Sequence, residues 1–225
     1  MGRKRRGQIV NGWLIIDKPA GMTSAHVVAR VKRMLDAAKI GHGGTLDPLA
    51  TGILPLALGE ATKTVSYVMD GEKSYRFTAR WGEARDTDDS DGRVVATSEE
   101  RPTRQAIEAA LPAFRGEISQ VPPDYSAIKV DGQRAYDLAR RGEAPALEAR
   151  EVTVHRFELL DRADADHARF EVDCGKGTYI RALVRDLAQD LGTVGHISML
   201  RRTRCGAFRQ ETAISLENLE ALGHK

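Results

Sequence analysis

The sequence predicts an α+β fold with a mixed sheet. Segments with the two-residue period of a half-buried strand and segments with the 3.6-residue period of an amphipathic helix are intermixed along the chain. They lack the regular β-α-β alternation that is typical of a doubly wound fold. No internal repeat is apparent, and 225 residues are enough for one large domain or two small ones.

The first third of the chain contains strand, helix and strand patterns in that order. Residues 13–17 form an apolar run that predicts a buried strand, and Thr23 or Ser24 can cap the helix that follows. Apolar residues recur at helical spacing through about residue 39, and Gly41 is expected to end that helix. Residues 61–69 fit a second short helix. Residues 73–81 alternate as a half-buried strand does.

The middle third is rich in charged residues, glycine and proline. The acidic loop 86–92 invites comparison with a calcium loop, but a calcium-loop alignment puts Ser98 where a bidentate Glu belongs, so a polar hairpin loop is preferred. Residues 103–111 predict a helix. Residues 125–130 and 133–142 predict a strand and a short helix, and the whole stretch of about 116–150 is expected to be mobile.

The last third returns to strong periodic patterns. Residues 152–157 and 170–172 predict strands, and residues 180–191 predict a helix whose buried stripe lies on Ile180, Leu183, Val184 and Leu187. Arg181 follows the first residue of that stripe, near the start of the helix, where its side chain can extend into a cleft. Residues 197–208 predict a strand with basic residues, and residues 214–222 predict a terminal helix.

The stretch with most chemical information is the glycine-dense loop of residues 41–52, GHGGTLDPLATG. Its glycines allow sharp turns and close approach to a ligand. Its carboxylate, Asp47, precedes a proline with a fixed φ, and the apolar residues 53–58 are expected to bury the far side of the loop. Such a loop can hold a nucleophile still and partly desolvated, although an Asp-Pro pair more often caps a turn.

Charge and cysteine content narrow the class of protein. With 34 Lys and Arg against 32 Asp and Glu, the chain has no global basic field, but residues 3–6 read RKRR and residues 176–209 carry seven basic against two acidic residues. Cys174 and Cys205 lie far apart and fit reduced thiols, so a cytoplasmic protein is expected and a zinc site is not. No apolar run has the length of a membrane span, and no signal peptide is indicated.

Several residues have an ordinary alternative interpretation. His42 could be a base, a ligand or a substrate contact, but a single loop histidine is most often a surface residue. Tyr75, Tyr179 and Leu200 could be core residues. The sequence GKGT around Lys176 lacks the spacing of a phosphate-binding Walker loop.

Motifs along most of the chain resemble those of bacterial tRNA pseudouridine-55 synthases. The first two are residues 12–24, GWLIIDKPAGMTS, and the Asp47 loop. In the family's order follow KSYR at 73–76, the acidic loop at 86–87, PPDYSAIK at 122–129, GKGTYIR at 175–181 and LRR at 200–202. The matches extend from about residue 10 to 209, and their common order makes the resemblance specific.

The resemblance implies the pseudouridine synthase fold, with a mostly antiparallel central sheet flanked by helices and an active-site cleft. It also implies isomerisation of uridine-55 in the T-loop of tRNA after the base has flipped out. Asp47 matches the catalytic aspartate, Arg181 the arginine that pairs with it, and Tyr75 the tyrosine that stacks on the target base. His42 matches a residue that fills the space vacated in the RNA, and Tyr179 and Leu200 match residues that line the base pocket. Lys18 belongs to the first motif, which supports the Asp47 loop, and it is expected to bind substrate together with these three residues.

The resemblance further implies tRNA as the partner, with no metal, organic cofactor, membrane or obligatory protein partner, and we expect a monomer. Residues 1–225 are expected to form a single catalytic domain in which about 116–150 close on the RNA stem. Because the sequence stops at Lys225, we expect it to lack the family's usual C-terminal RNA-binding domain, either as a truncated chain or as a naturally short member. The competing interpretations are a guide-RNA-dependent relative, an RNA chaperone without catalysis, and an aspartate-nucleophile hydrolase, for which no second carboxylate is evident.

Overall fold

The computed structural model of this chain describes residues 7–130, 132–143 and 146–223. The basic run at 3–6 and Asp131 of the predicted turn lie outside the described residues. The described chain divides into two compact units, the first of residues up to 75 and from 200 onwards, the second of residues 76–199. The single-domain organisation stays a prediction.

The helices and strands follow the predicted α+β mixture. The α-helices are α1 Ser24–Met34, α2 Val65–Asp70, α3 Arg104–Ala110, α4 Ala135–Arg140, α5 Ile180–Asp190 and α6 Leu216–Gly223. The strands are β1 Gly12–Lys18, β2 Ile40–His42, β3 Thr51–Leu58, β4 Lys73–Trp81, β5 Glu83–Arg85, β6 Val94–Thr97, β7 Gly116–Gln120, β8 Lys129–Val130, β9 Gln133–Arg134, β10 Arg150–Arg162, β11 His167–Cys174, β12 Gly195–Cys205, β13 Phe208–Arg209 and β14 Ile214–Ser215. Short 3₁₀ helices in the described part of the chain cover Gly59–Thr64, Leu111–Phe114 and Gln210–Thr212.

The first unit has a mixed sheet in the order β14-β1-β3-β12. Strands β1 and β3 are antiparallel along their whole length, from Gly12 opposite Leu58 to Lys18 opposite Gly52. The β1–β14 and β3–β12 pairs are parallel. From the second residue onwards β3 is buried, which explains why its sequence is a continuous apolar run instead of an alternating one.

The first helix ends earlier than its apolar period predicts. Thr23 caps α1 by accepting a hydrogen bond from His26 N, as expected, but the helix stops at Met34 and not near residue 39. Asp36 takes a left-handed φ of 43°, and residues 36–38 exchange backbone hydrogen bonds with Gln8. A tertiary strand contact therefore replaces the last predicted helical turn, and β2 precedes the Asp47 loop.

The second unit has the strand order β4-β11-β10-β7, in which β10 is antiparallel to both β11 and β7. Its core holds the aromatic cluster of Phe77, Phe157 and Phe170, with ring centroids 5.3–5.9 Å apart. The predicted stripe of α5 is buried, and the acidic loop 86–92 joins the hairpin β5–β6 as predicted. The α+β class with mixed, mostly antiparallel pairing is therefore confirmed.

The predictions were least accurate between residues 116 and 150. Gly116–Gln120 is an edge strand, β7, that no local pattern indicated, because its order depends on pairing with β10 thirty residues later in the chain. The strand predicted at 125–130 is limited to Lys129–Val130, and the helix predicted from 133 begins at Ala135 after a two-residue strand. The mobility of this segment stays a prediction.

Candidate active site

Asp47 lies on the loop that connects β2 to β3 in the first unit. The loop leaves β2 with Gly43 N donating to Pro55 O at 2.8 Å, and it turns at Asp47, whose carbonyl accepts from Ala50 N at 3.1 Å. Leu46 and Ala50 on either side of Asp47 are buried, while Asp47 itself is half-buried. The apolar flanks thus anchor the loop and leave the carboxylate at the border of solvent.

Lys18 supports this loop from the end of β1. Its side chain is fully buried, and its ammonium donates to three carbonyls, Pro19 O at 2.9 Å, Met22 O at 2.7 Å and Pro48 O at 3.2 Å. A buried ammonium requires such acceptors because it has lost its water. One lysine therefore joins the first motif to the residue that follows Asp47.

The electrostatics around Lys18 reflect that position. Burial lowers the pKa of Lys18 to about 8, the Asp47 carboxylate raises it, and the Arg202 cation lowers it further. The carboxylate of Asp47 is therefore close enough to stabilise the charged form of Lys18. Contact of Lys18 with substrate stays a prediction.

Ser24 binds the loop on the N-terminal side of Asp47. Its hydroxyl accepts from Leu46 N at 2.9 Å and donates to Leu46 O at 3.1 Å, and Ser24 is buried at the start of α1. The sequence identified Ser24 only as a possible helix cap. Nothing in the local pattern indicated that it would bind the residue before Asp47.

Arg202 on β12 is a third support that sequence reasoning missed. The side chain is only 1% exposed, and it donates from Nε to Ile53 O at 2.8 Å, from Nη2 to Gly44 O at 3.1 Å and from Nη1 to Thr45 O at 3.4 Å. A planar guanidinium with five donors can bridge carbonyls from both ends of a loop. The LRR motif was the available signal, but it did not show which of its residues faces the loop.

Gly52 makes the close approach of β3 to β12 possible. Its φ is +97°, and a Cβ at this position would lie 2.2 Å from the carbonyl oxygen of Arg202. Both the backbone conformation and the available space therefore require glycine. This is one physical reason for the glycine content of the Asp47 loop.

His42, Tyr75 and Leu200 also belong to the first unit. His42 is half-buried at the end of β2, where burial, followed by the Arg202 cation, lowers its pKa, while the Gly44 backbone raises it. Tyr75 is half-buried on β4, two residues before the buried Phe77. Leu200 is 5% exposed, and its carbonyl accepts from Thr51 Oγ1 at 3.4 Å. Their roles toward substrate stay predictions.

Arg181 lies in the second unit, in the first turn of α5. It is 4% exposed and donates from Nη1 to Thr87 O at 2.7 Å and from Nη2 to Tyr125 O at 2.9 Å. Its Nε lies 3.8 Å from Oδ2 of the buried Asp89. The acidic loop thus provides a carboxylate and a carbonyl for the arginine, a role that the sequence did not predict.

The neighbouring Asp88 faces the next turn of α5. Its Oδ2 lies 3.2 Å from Nη1 of Arg185, and burial raises the pKa of Asp88 to about 6 against the opposing effects of Arg185 and Arg181. Tyr179 immediately precedes α5 as its N-cap residue. The second unit therefore brings Tyr179, Arg181 and the acidic loop together, whereas the first brings Lys18, Asp47 and Arg202 together; pairing of Asp47 with Arg181 stays a prediction.

Comparison with solved structures defines the class of protein. The fold is similar to that of the Cbf5–Nop10–Gar1 complex, with a TM-score of 0.74 and 34% identity over 95% of this chain and 54% of that chain. It is also similar to an H/ACA RNP bound to a substrate RNA containing 2′-deoxyuridine, with a TM-score of 0.72 and 29% identity over 98% of this chain and 59% of that chain. The fold is that of the pseudouridine synthases, as the resemblance implied.

Sequence comparison gives the family. Residues 32–180 match the TruB family pseudouridylate synthase (N terminal domain), and residues 181–224 match the tRNA pseudouridylate synthase B C-terminal domain. The chain is 62% identical over 217 residues to the tRNA pseudouridine synthase B of Gluconacetobacter diazotrophicus, covering 96% of this chain and 71% of the relative. It is 59% identical to that of Rhodospirillum rubrum, covering 100% of this chain and 73% of the relative. The chain belongs to the TruB family of pseudouridylate synthases.

Within the described ranges, no helix is both long enough and apolar enough to cross a membrane.

Proposed function

We propose that this chain isomerises uridine-55 in the T-loop of tRNA to pseudouridine, with Asp47 as the essential catalytic group. The observation that carries the proposal is the Asp47 loop, which Lys18, Ser24 and Arg202 hold at Pro48, Leu46 and Gly44. Such a fixed backbone supports a carboxylate that must meet one atom of a bound nucleotide. The naming of close relatives as tRNA pseudouridine synthase B supports the same substrate.

The reaction detaches the uracil from the ribose and rejoins it through carbon, so it has no net redox change. A uracil within a folded T-loop has to flip into a pocket, at a cost of about a few kcal/mol of stacking. In this proposal Asp47 acts as nucleophile or base, and Arg181 keeps it charged and oriented. Tyr75 provides a ring face for the flipped base and a hydroxyl that can assist removal of the C5 proton. Positioning and electrostatics supply the rate enhancement, without a metal or an organic cofactor.

The remaining site residues would bind the RNA. His42 enters the space that the flipped nucleotide leaves, Tyr179 and Leu200 line the base pocket, and Lys18 supports the loop beneath the base. Residues 116–150, which we call the clamp segment, close on the RNA stem. We further propose that the protein acts in the cytoplasm as a monomer without an obligatory protein partner, and that it also assists tRNA folding as a chaperone.

The direct test is tritium release from an unmodified tRNA transcript labelled at uridine C5, with wild type beside Asp47→Asn. Release by wild type alone, mapped to one T-loop uridine, is the expected result. Absence of release by a wild-type protein that binds tRNA would refute a self-sufficient synthase and favour the chaperone interpretation. Release of free uracil would favour a hydrolase, and dependence on an added guide RNA would favour the guide-dependent relative.

A second variant tests the role of Arg181. Arg181→Met should lower the single-turnover rate by about a hundredfold or more, because one charge-assisted partner of a reacting carboxylate is worth several kcal/mol. The dissociation constant for tRNA should change much less. Equal losses in rate and in binding would contradict the pairing role.

A further inference from the structure

Gln120 is a buried glutamine at a junction of the second unit. It is 2% exposed and is the last residue of β7, where it lies opposite Arg150, the first residue of β10. The chain between these two paired residues leaves the sheet and returns to it. The pair Gln120 and Arg150, which we call the neck of the clamp segment, therefore joins that segment to the sheet.

The side chain of Gln120 binds the backbone of Tyr179 at two points. Its Oε1 accepts from Tyr179 N at 2.8 Å, and its Nε2 donates to Tyr179 O at 3.2 Å. The same Tyr179 carbonyl accepts from Leu183 N at 3.1 Å, the first hydrogen bond of α5. The amide thus pairs with Tyr179 as a strand neighbour would, and it fixes the residue that precedes the helix of Arg181.

Two further hydrogen bonds connect the start of the clamp segment to α5. Arg185 Nη2 donates to Val121 O at 2.7 Å, and Arg181 Nη2 donates to Tyr125 O at 2.9 Å. The neck of the segment and the first turns of α5 therefore share three side-chain contacts. Of the side chains of Gln120, Arg181 and Arg185, only that of Gln120 is neutral, and only it binds both the N–H and the carbonyl of one residue.

We infer that Gln120 is a positioning residue that couples the clamp segment to the orientation of Tyr179 and Arg181. The inference rests on the proposed function. When the segment closes on RNA, the strand end that carries Gln120 transmits its position to the Tyr179 peptide, and the base pocket is completed. Loss of the amide leaves tRNA binding largely intact and misplaces Tyr179 and Arg181 in the bound complex.

The test compares Gln120→Met, Gln120→Asn and the control Glu151→Gln in single-turnover isomerisation and in tRNA binding. Methionine preserves length and loses both hydrogen bonds, and asparagine preserves the amide but is one methylene too short. Glu151 is exposed on the neighbouring strand β10, outside the clamp segment. Both Gln120 variants should lower the single-turnover rate about tenfold to a hundredfold and change the tRNA dissociation constant by less than about threefold. Glu151→Gln should match wild type in both.

Hydrogen exchange of the Tyr179 amide provides a measurement independent of activity. The Tyr179 amide should be protected in wild type and in Glu151→Gln, and it should exchange faster in Gln120→Met well below the unfolding temperature. Wild-type rates in both Gln120 variants, or a rate loss matched by a binding loss, would overturn the inference. Failure of both variants to fold would also overturn it, because Gln120 would then be a stability residue. An inactive wild type with a protected Tyr179 amide would instead refute the proposed function.

Discussion

Replacement of Arg202 by methionine tests whether the Asp47 loop is held from β12. The variant keeps most of the buried stem but loses the bonds to Ile53 O at 2.8 Å and Gly44 O at 3.1 Å, as well as the longer one to Thr45 O at 3.4 Å. A hydrogen bond to a charged group is worth about 1.5–3 kcal/mol, so the two shorter bonds set an upper limit of about 3–6 kcal/mol. Removing a buried charge offsets part of that loss.

The expected net loss of unfolding free energy is therefore about 3 kcal/mol. It should appear in urea unfolding as a lower midpoint with an unchanged slope. The turnover rate should also fall at least about tenfold at temperatures where the variant is folded. The carbonyl of Gly44, three residues before Asp47, loses its hydrogen bond to Arg202, so the position of the Asp47 carboxylate is less well fixed.

Arg201 provides a matched control on the same strand. Its guanidinium binds both carboxylate oxygens of Asp17 at 2.8 and 2.9 Å, but both side chains are about one-third exposed. Solvent screening limits such a pair to about 1 kcal/mol or less. If Arg201→Met and Arg202→Met lost the same stability and the same activity, the argument from burial and loop contact would be refuted.

Three further predictions follow from the same geometry. Because burial lowers the pKa of Lys18 to about 8 from its ordinary 10.5, the unfolded chain binds more protons between these pH values. The unfolding free energy of wild type relative to Lys18→Met should therefore rise by about 3 kcal/mol across that window in urea titrations, and a flat difference would contradict it. Since the pKa of Asp88 is raised to about 6 from 3.8, the unfolding free energy of wild type relative to Asp88→Asn should fall as pH rises through that range, and a flat difference in urea titrations would contradict it. Gly52→Ala should destabilise by about 3 kcal/mol or more, because φ is +97° and its Cβ would lie 2.2 Å from a backbone oxygen; Gly41→Ala, with open space around its Cβ, is the control in thermal unfolding.

The elements that the sequence predicted correctly are those with a strong local period. From Arg76 onwards β4 alternates between less buried and buried residues as its pattern indicated, and the stripe of α5 is buried at all of its predicted positions. The end of α1 and the edge strand β7 depend on pairing with distant segments, at Gln8 and on β10. Local propensity carries no information about such partners.

The same distinction applies to the candidate site. The glycine-rich loop and Asp47 were visible in the sequence because glycine and a flanking proline are local signals. Lys18 was the one support that the resemblance indicated. Ser24 and Arg202 were missed, since Ser24 reaches a residue 22 positions away and Arg202 one 149 positions away, and both bind backbone atoms that every residue has. A side chain that binds a distant carbonyl leaves no pattern for sequence reasoning to detect.

The supports of the Asp47 loop share one feature that separates stability from chemistry. Lys18, Ser24 and Arg202 bind backbone atoms of Pro48, Leu46 and Gly44, respectively. These hydrogen bonds fix the position of the Asp47 backbone, and the Asp47 carboxylate is not the acceptor in any of them. Substitution of a support should therefore lower both the unfolding free energy and the turnover rate, because the same bonds hold the fold and the loop. Substitution of Asp47 by asparagine leaves those bonds in place, and it should lower turnover much more than the unfolding free energy, which loses the attraction between the carboxylate and the buried Lys18 ammonium. A large stability loss in Asp47→Asn would show that the carboxylate is itself part of the structural network.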